Sequence, residues 1–304
     1  MTVSSWMSER AGERRGGGLG TCDRAIGALV GLAVGDDVGT TLEFKPPGSF
    51  APITDMVGGG PFRLPVGAWT DDASMAMCLA ESILDTGSLD PVDQLRRYVN
   101  WWRDGYWSST GSCFDIGITT SGALSRFERS GAVTDALIDE ESAANGSLMQ
   151  LAPVPIRWHI DIGEAAARSG ESSCTTHPAA RPVDACRVMR AMVAALIQGM
   201  PAGQVLDDDF WSFGPHHPAI DAVARGSWRH EDPPAIRGTG YSVDALEAAL
   251  WAVGGADDFS RRRAARRQPR RRRRHDSGHR RPARRCTVGM VGHPATVERT
   301  DRCA

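Results

Sequence analysis

The sequence predicts an all-α protein on three observations. Apolar residues recur at helical spacing in four separate stretches, strand-like alternation is scarce, and long Gly- and Pro-containing segments separate the stretches. The first stretch starts at Asp23 and puts Ile26, Leu29, Val30 and Ala33 on one face. Gly35-Asp36-Asp37-Val38-Gly39 follows it and reads as a helix end and turn, opening a loop expected over 35–70. The second stretch carries Met75, Leu79 and Ile83 and is preceded by Trp69-Thr70-Asp71-Asp72. A second long loop is expected at 105–116. The third helix repeats the spacing with Val188, Met189, Met192, Val193 and Leu196, and the fourth with Val243, Leu246, Leu250 and Val253. Between them 160–183 reads as another loop, and 202–240, with His216, His217 and several prolines, is mixed. Loops of such length in a compact domain are usually functional or unstructured.

Composition narrows the class. At 304 residues the chain is long enough to bury a real core. No apolar run approaches the roughly 20 residues of a membrane span, and the N-terminus, with Glu9, Glu13, Arg14 and Arg15, lacks a signal-peptide apolar stretch. The expectation is a cytoplasmic monomer with no membrane partner. Seven cysteines without a C-x-x-C pair argue against a disulfide framework and a zinc site. The net charge of -2 hides an asymmetry: residues 1–260 carry 19 Lys+Arg against 34 Asp+Glu, and 261–304 carry 16 against 3. Lys45 is the only lysine, and an arginine-dominated basic complement points to a GC-rich genome. The expected organisation is a disordered segment 1–22, a helical domain 23–259 and an Arg-rich tail 260–304.

The motif richest in chemistry is Thr70-Asp71-Asp72, a hydroxyl and two carboxylates side by side at a helix start. Such an all-oxygen set suits a hard cation like Mg2+. The same residue types also cap helix N-termini, by accepting hydrogen bonds from orphan N–H groups and complementing the dipole. From these residues alone both readings stand.

Their companions weigh on the choice. In chain order, Gly35-Asp36-Asp37-Val38-Gly39, Gly58-Gly59-Gly60-Pro61-Phe62, Trp69-Thr70-Asp71-Asp72, Gly111-Ser112-Cys113-Phe114-Asp115-Ile116-Gly117, Asn145-Gly146-Ser147-Leu148-Met149, Thr175-Thr176-His177 and Ala248-Ala249-Leu250-Trp251-Ala252 resemble the ADP-ribosylglycohydrolase family, of the dinitrogenase-reductase-activating glycohydrolase type. The resemblance runs from about Arg24 to Phe259. Each motif is short; their number and order carry the likeness.

The resemblance implies a compact multi-helix all-α domain with long active-site loops and two Mg2+ ions at the base of a cleft. The implied reaction hydrolyses the glycosidic bond between ADP-ribose and a side chain, on a modified protein or a small ADP-ribosyl conjugate. Cleavage at the anomeric carbon develops positive charge on the ribose, which carboxylates offset. By resemblance, Thr70, Asp71 and Asp72 are metal ligands, while Glu43 acts in the reaction or gates the site. Asp115, the second catalytic candidate, faces the ribose and leaving group. Asn145, Gly146 and Ser147 approach the diphosphate, glycine permitting close backbone contact. His177 is a ligand contact or a structural hydrogen-bonder. Asp36 matches the family's Gly-Asp pair and is expected to fix its own turn. Gln150 stands where relatives often have arginine, a change that removes a salt bridge or phosphate contact.

Beyond Phe259 the likeness breaks. The family completes its metal site there with an Asp-x-Asp-Thr element, whereas this chain reads Arg261-Arg262-Arg263-Ala264-Ala265-Arg266-Arg267-Gln268-Pro269 and five further arginines to Arg274. The genetic code connects the two. Successive CGN arginine codons read one nucleotide later give GNC, which encodes only Gly, Asp, Ala or Val. Arg261 through Asp276 can thus be reread as DAVLRAVNLGDDADTT, with the missing Asp, Asp and Thr under the codons of Arg272, Arg274 and His275. The expectation is a frameshifted tail and an impaired hydrolase. The alternative is a catalytically inactive ADP-ribose-binding protein whose 14 arginines between 261 and 285 bind nucleic acid, or a polycationic tail with no partner. No aromatic residue interleaves with the arginines, so nucleic acid is not the expected partner.

Overall fold

The computed structural model describes residues 19–45, 49–51, 53, 55–135, 138–211 and 216–255. Expectations for the N-terminal segment up to residue 18 and for the tail from 256, including its reread Asp-x-Asp-Thr, lie outside the described residues. The chain is helical, with no strand among the described residues and two isolated antiparallel bridges, Gly59–Leu64 and Ala144–Tyr241. In order the helices are α1 (Thr21–Thr40), α2 (Asp71–Thr86), α3 (Pro91–Asp104), α4 (Ile118–Ser130), α5 (Gly146–Met149), α6 (Pro153–Trp158), α7 (Ile162–Cys174), α8 (Ala180–Gln198), α9 (Ala202–Val205), α10 (Pro218–Ala224), a 3-10 turn at Ser227–His230, and α11 (Ser242–Gly255).

Helix α8 is the centre of the fold, touching α1, α5, α6, α7, α9, α10 and α11. Fourteen of its 19 residues are buried, Asp184 and Arg190 among them, because other helices surround it on most sides. Val188, Met189 and Met192 meet Met75 and Leu79 of α2 and Leu95, Tyr98 and Trp101 of α3 in one continuous core. The α3 boundaries follow from local chemistry. Asp90 accepts from Val92 N–H and Asp93 N–H, Pro91 occupies the first turn, and Gly105 closes the helix in the left-handed region at φ 69. A Cβ on Gly105 would collide with the Gly111 carbonyl, so this glycine also lets the loop 105–117 fold back against the end of α3.

Two expectations are corrected. The segment 160–183 is not a loop: it holds α7 and the first turn of α8. Beyond its first residue, Ile162, helix α7 lacks large apolar residues and packs through Ala165, Ala166, Ser169, Gly170 and Ser173, small side chains that allow close helix approach and leave no strong apolar period. Asp161 caps it by accepting from Glu164 N–H at 3.0 Å, and Arg168 pairs with both Glu164 and Glu171.

The second correction concerns α1, which continues through Gly35-Asp36-Asp37-Val38-Gly39 to Thr40. Its inward face is also not the apolar one. Ile26, Val30 and Val34 are 46%, 54% and 39% exposed, whereas Leu32, Asp36 and Thr40 are buried. Residues 32, 36 and 40 share one face at i, i+4 spacing, so the bonds of Asp36 set the rotation of the whole helix. The outward valines border a groove lined also by Leu29, Ala33, Met56 and Trp69.

Gln150 is buried with both amide atoms unpartnered, and Arg190 of α8, also buried, donates to the Leu148 carbonyl. Gln150 thus makes no side-chain bond of its own among the described residues, while the Arg190 guanidinium ties α8 to the Asn145–Met149 segment.

Candidate active site: a buried carboxylate cluster

The side chain of Thr70 makes no capping bond although Thr70 is the N-cap of α2. The cap comes from 34 residues earlier. Asp36 Oδ2 accepts from Thr70 N–H at 2.9 Å and Ala73 N–H at 3.1 Å, and Asp36 Oδ1 accepts from the Thr70 hydroxyl at 2.7 Å. Asp36 thereby satisfies the N–H of the N-cap Thr70 and one orphan donor of the first turn of α2, and fixes the Thr-Asp-Asp turn against the end of α1. The expectation that Asp36 fixes its own turn is corrected: it fixes that of α2. Beside it, Asp37 Oδ1 accepts from Gly67 N–H at 3.0 Å and holds the approach to Trp69. Sequence reasoning gave Asp37 no role, and only its position beside Asp36 signalled one.

Around this frame the structure gathers Asp36, Glu43, Asp71, Asp72 and Asp115 closely enough for their charges to act on one another. Burial is the largest influence on each. It raises Asp36 to about 6 against the bonds from Thr70 and Ala73. Burial raises Asp115 to about 7, with Asp36 adding to it. Glu43 rises to about 8 through burial and then the neighbouring Asp115, opposed by a hydrogen bond from the Thr40 hydroxyl at 3.4 Å. Asp71 and Asp72 rise well above the ordinary carboxylate range, by burial and then by Asp115 for the first and Asp36 for the second.

Asp37 Oδ2, Asp72 Oδ1 and Asp115 Oδ2 are buried without a hydrogen-bond partner. Buried oxygens in that condition call for a proton or a cation. The donor set is all oxygen, as a hard divalent cation requires. Among the described residues no three His, Cys, Asp or Glu side chains form a metal-holding group. The donors suit such a cation in chemistry, but the described side chains do not converge into a group of three around one point.

Two loops bring the rest of the site to α2. In loop 105–117, Trp107 Nε1–H and the Tyr106 hydroxyl both donate to Glu81 of α2, at 3.1 and 2.5 Å. Trp69 Nε1–H donates to the Trp107 carbonyl at 3.1 Å, and the Ser109 hydroxyl donates to the Trp69 carbonyl at 2.5 Å. Asp115 stands at the far end of this loop at φ 60. The hairpin Gly58–Leu64 seals the other side, its Gly60 pressed so closely on α1 that a Cβ would lie 2.5 Å from the Thr40 carbonyl oxygen.

The remaining candidates form a second group. Asn145 N–H donates to the Gly240 carbonyl at 2.8 Å, next to the Ala144–Tyr241 bridge that ties this segment to α11. Ser147 is buried and accepts from the Ser173 hydroxyl at 2.7 Å. His177 lies against Gly146, where a Cβ would meet its Cε1 at 2.8 Å, and its Nδ1 is 2.9 Å from the Thr176 hydroxyl. Burial holds the imidazole down at about 4, against 6.5 ordinarily. The unfolded chain then takes up the proton first as pH falls, and stability is lost between about 6.5 and 4, amounting to ~3 kcal/mol. His177→Asn should remove that loss relative to wild type, read from urea unfolding at pH 7.5, 6 and 4.5; an unchanged pH slope would contradict the assignment.

Comparison with known proteins bears on this geometry. The ADP-ribosylglycohydrolase family description matches residues 19–268. The chain is 41% identical over 237 residues to the ADP-ribosylarginine hydrolase Tri1 of Pseudomonas putida (strain GB-1), covering 78% of this chain and 63% of that protein. It is 35% identical over 138 residues to the ADP-ribosyl-[dinitrogen reductase] glycohydrolase of Rhodospirillum rubrum, covering 44% of each. A solved chain described as an ADP-ribosylglycohydrolase-related protein complex superposes with a TM-score of 0.67 at 34% identity, over 91% of this chain and 84% of that one. The chain spans about 63% of the length of the Pseudomonas relative. Motif order, helical architecture and these matches agree: the chain belongs to the ADP-ribosylglycohydrolase family.

Proposed function

We propose that this protein is built to hydrolyse the glycosidic bond of ADP-ribosylated arginine on modified proteins, with Mg2+ as cofactor. The observation that carries the reading is the grouping of buried Glu43, Thr70, Asp71 and Asp72 with half-buried Asp115 in one cluster; relatives named for ADP-ribosylarginine and ADP-ribosyl-protein hydrolysis support it.

Release of ADP-ribose breaks the bond from the anomeric carbon to a guanidine nitrogen. Water adds its oxygen to that carbon and gives up a proton, and the departing nitrogen takes one. Glu43 and Asp115, pushed up to about 8 and about 7, can share a proton near neutral pH, so one can donate to the nitrogen while the other receives from water. Their negative charge offsets the charge on the ribose ring. Thr70, Asp71 and Asp72 would hold a Mg2+ ion, which when bound orients the ribose hydroxyls and water. Gly146 and Ser147 present backbone to the diphosphate, Asn145 ties the segment to the Gly240 carbonyl through its own N–H, and His177 holds Gly146 in place. A cytoplasmic monomer with domain limits near 23 and 259 completes the reading.

In this reading the tail supplies the rest of the cation shell only in its +1 frame, so the chain as written is impaired. The alternative, an inactive ADP-ribose-binding protein, draws on the absence of a carboxylate pair from 261–274. Mass-spectrometric detection of ADP-ribose released from an arginine-modified protein tests the choice, on the written chain and on a version carrying the +1 reading. The restored version should release ADP-ribose only with Mg2+, and Asp115→Asn should slow it by about 100-fold or more. Silence of the restored version would sink the hydrolase reading.

A further inference from the structure

Four non-glycine residues among those described have left-handed backbone: Phe44 (φ 62), Arg63 (φ 54), Trp107 (φ 60) and Asp115 (φ 60). All four lie in the loops that border the carboxylate cluster. A bulky side chain in that region costs about 1–2 kcal/mol, a cost that persists where surrounding structure or function requires it. At Arg63 the requirement is not packing. Its side chain is exposed and has no hydrogen-bond or ion-pair partner among the described residues. Nor is the backbone averse to glycine, since Gly58, Gly59 and Gly60 of the same hairpin take φ values of 65, 87 and 67.

The hairpin's place gives the arginine its significance. Gly59 and Leu64 exchange backbone hydrogen bonds of 2.7 and 2.9 Å, which makes the turn rigid. One flank rests on the end of α1, where the Thr41 hydroxyl donates to the Gly58 carbonyl at 3.3 Å, two residues before Glu43. The other flank meets the opposite loop through Phe62, whose ring centroid is 5.4 Å from that of Phe114, the neighbour of Asp115. Arg63 is thus fixed between the segments that carry the two candidate catalytic carboxylates, and Lys45, two residues after Glu43, is exposed as well. Buried carboxylates repel any anionic part of a substrate, so an anion entering here needs a cation at the rim to hold and orient it. A guanidinium fork matches phosphate and carboxylate alike.

Resting on the ADP-ribosyl reading above, we infer that Arg63 is a specificity-determining residue that receives an anionic group of the substrate at the mouth of the carboxylate cluster. Two sources share this chemistry: the diphosphate of the ADP-ribosyl group, and a carboxylate of the modified protein beside the linkage. Calorimetric titration of the full chain in Mg2+ buffer, with ADP-ribose and separately with an arginine-modified protein, distinguishes them. Arg63→Asn keeps a residue that tolerates left-handed backbone and should weaken binding about tenfold, with loss of salt dependence. Arg63→Lys should recover part of it. Weakened ADP-ribose binding identifies the diphosphate; weakening with the modified protein alone identifies the acceptor carboxylate. Wild-type affinity for both ligands in a folded Arg63→Asn chain, checked by thermal melting, overturns the role of Arg63 and leaves the ADP-ribosyl reading standing. If neither the wild-type chain nor its version carrying the +1 reading, titrated in the same way, binds either ligand, that reading falls and the inference with it.

Discussion

Asp36→Ala should lower stability by on the order of 3 kcal/mol, about 10 °C in melting temperature for a domain of this size. The carboxylate accepts from three buried donors, Thr70 N–H, Thr70 Oγ1–H and Ala73 N–H. Each buried donor left unmade costs ~1–3 kcal/mol; relief of carboxylate repulsion returns part of the total. Asp36→Asn retains one acceptor oxygen and should fall between alanine and wild type. An Asp36→Ala chain that melts with wild type would show that α2 does not depend on this long-range cap.

Asp72→Asn should do the reverse, raising the melting temperature in chelator at pH 8 while removing the response to Mg2+. Asp72 is buried among like charges with Oδ1 unpartnered, so the fold carries its negative charge at a cost that a neutral amide avoids. The same sign governs the pH profile of the cation-free chain. Carboxyls raised in the fold bind protons that the unfolded chain has already released, so their contribution is complete below about 4. It is lost as pH rises through about 6 for Asp36, about 7 for Asp115 and about 8 for Glu43. Mg2+ needs the deprotonated forms, so its stabilisation should be larger at pH 8 than at pH 5.5. At a hundredfold excess over the dissociation constant it reaches ~2.7 kcal/mol. A thermal-shift series at the two pH values reads both effects; an Mg2+ response in Asp72→Asn equal to wild type contradicts the assignment.

What the sequence revealed depended on how its signal was stored. Thr70, Asp71 and Asp72 are contiguous, and Met75, Leu79 and Ile83 keep a helical period, so α2 and its polar start were legible. Asp36 was misplaced in a loop because Gly35 and Gly39 weaken a local helix signal, whereas contacts to Thr70 and Ala73, invisible to local reading, carry α1 past them. The outward turn of Ile26 and Val30 has the same origin: one buried carboxylate outweighs an apolar stripe in setting helix rotation. Helix α7 escaped because close packing of alanine, serine and glycine has no hydrophobic period. Asp37 and the Trp69–Trp107–Glu81 links are hidden because they join residues 26 to 38 positions apart through single hydrogen bonds.

The proposed half-site makes one claim above the others: Thr70, Asp71 and Asp72 hold their share of a two-cation centre whose remaining ligands are absent from the chain as written. Isothermal titration with Mg2+, on the 304-residue chain and on a version carrying the +1 reading from Arg261, measures it directly. At most one weakly held ion is expected in the written chain and two in the restored one. Equal stoichiometry and affinity in both would contradict it.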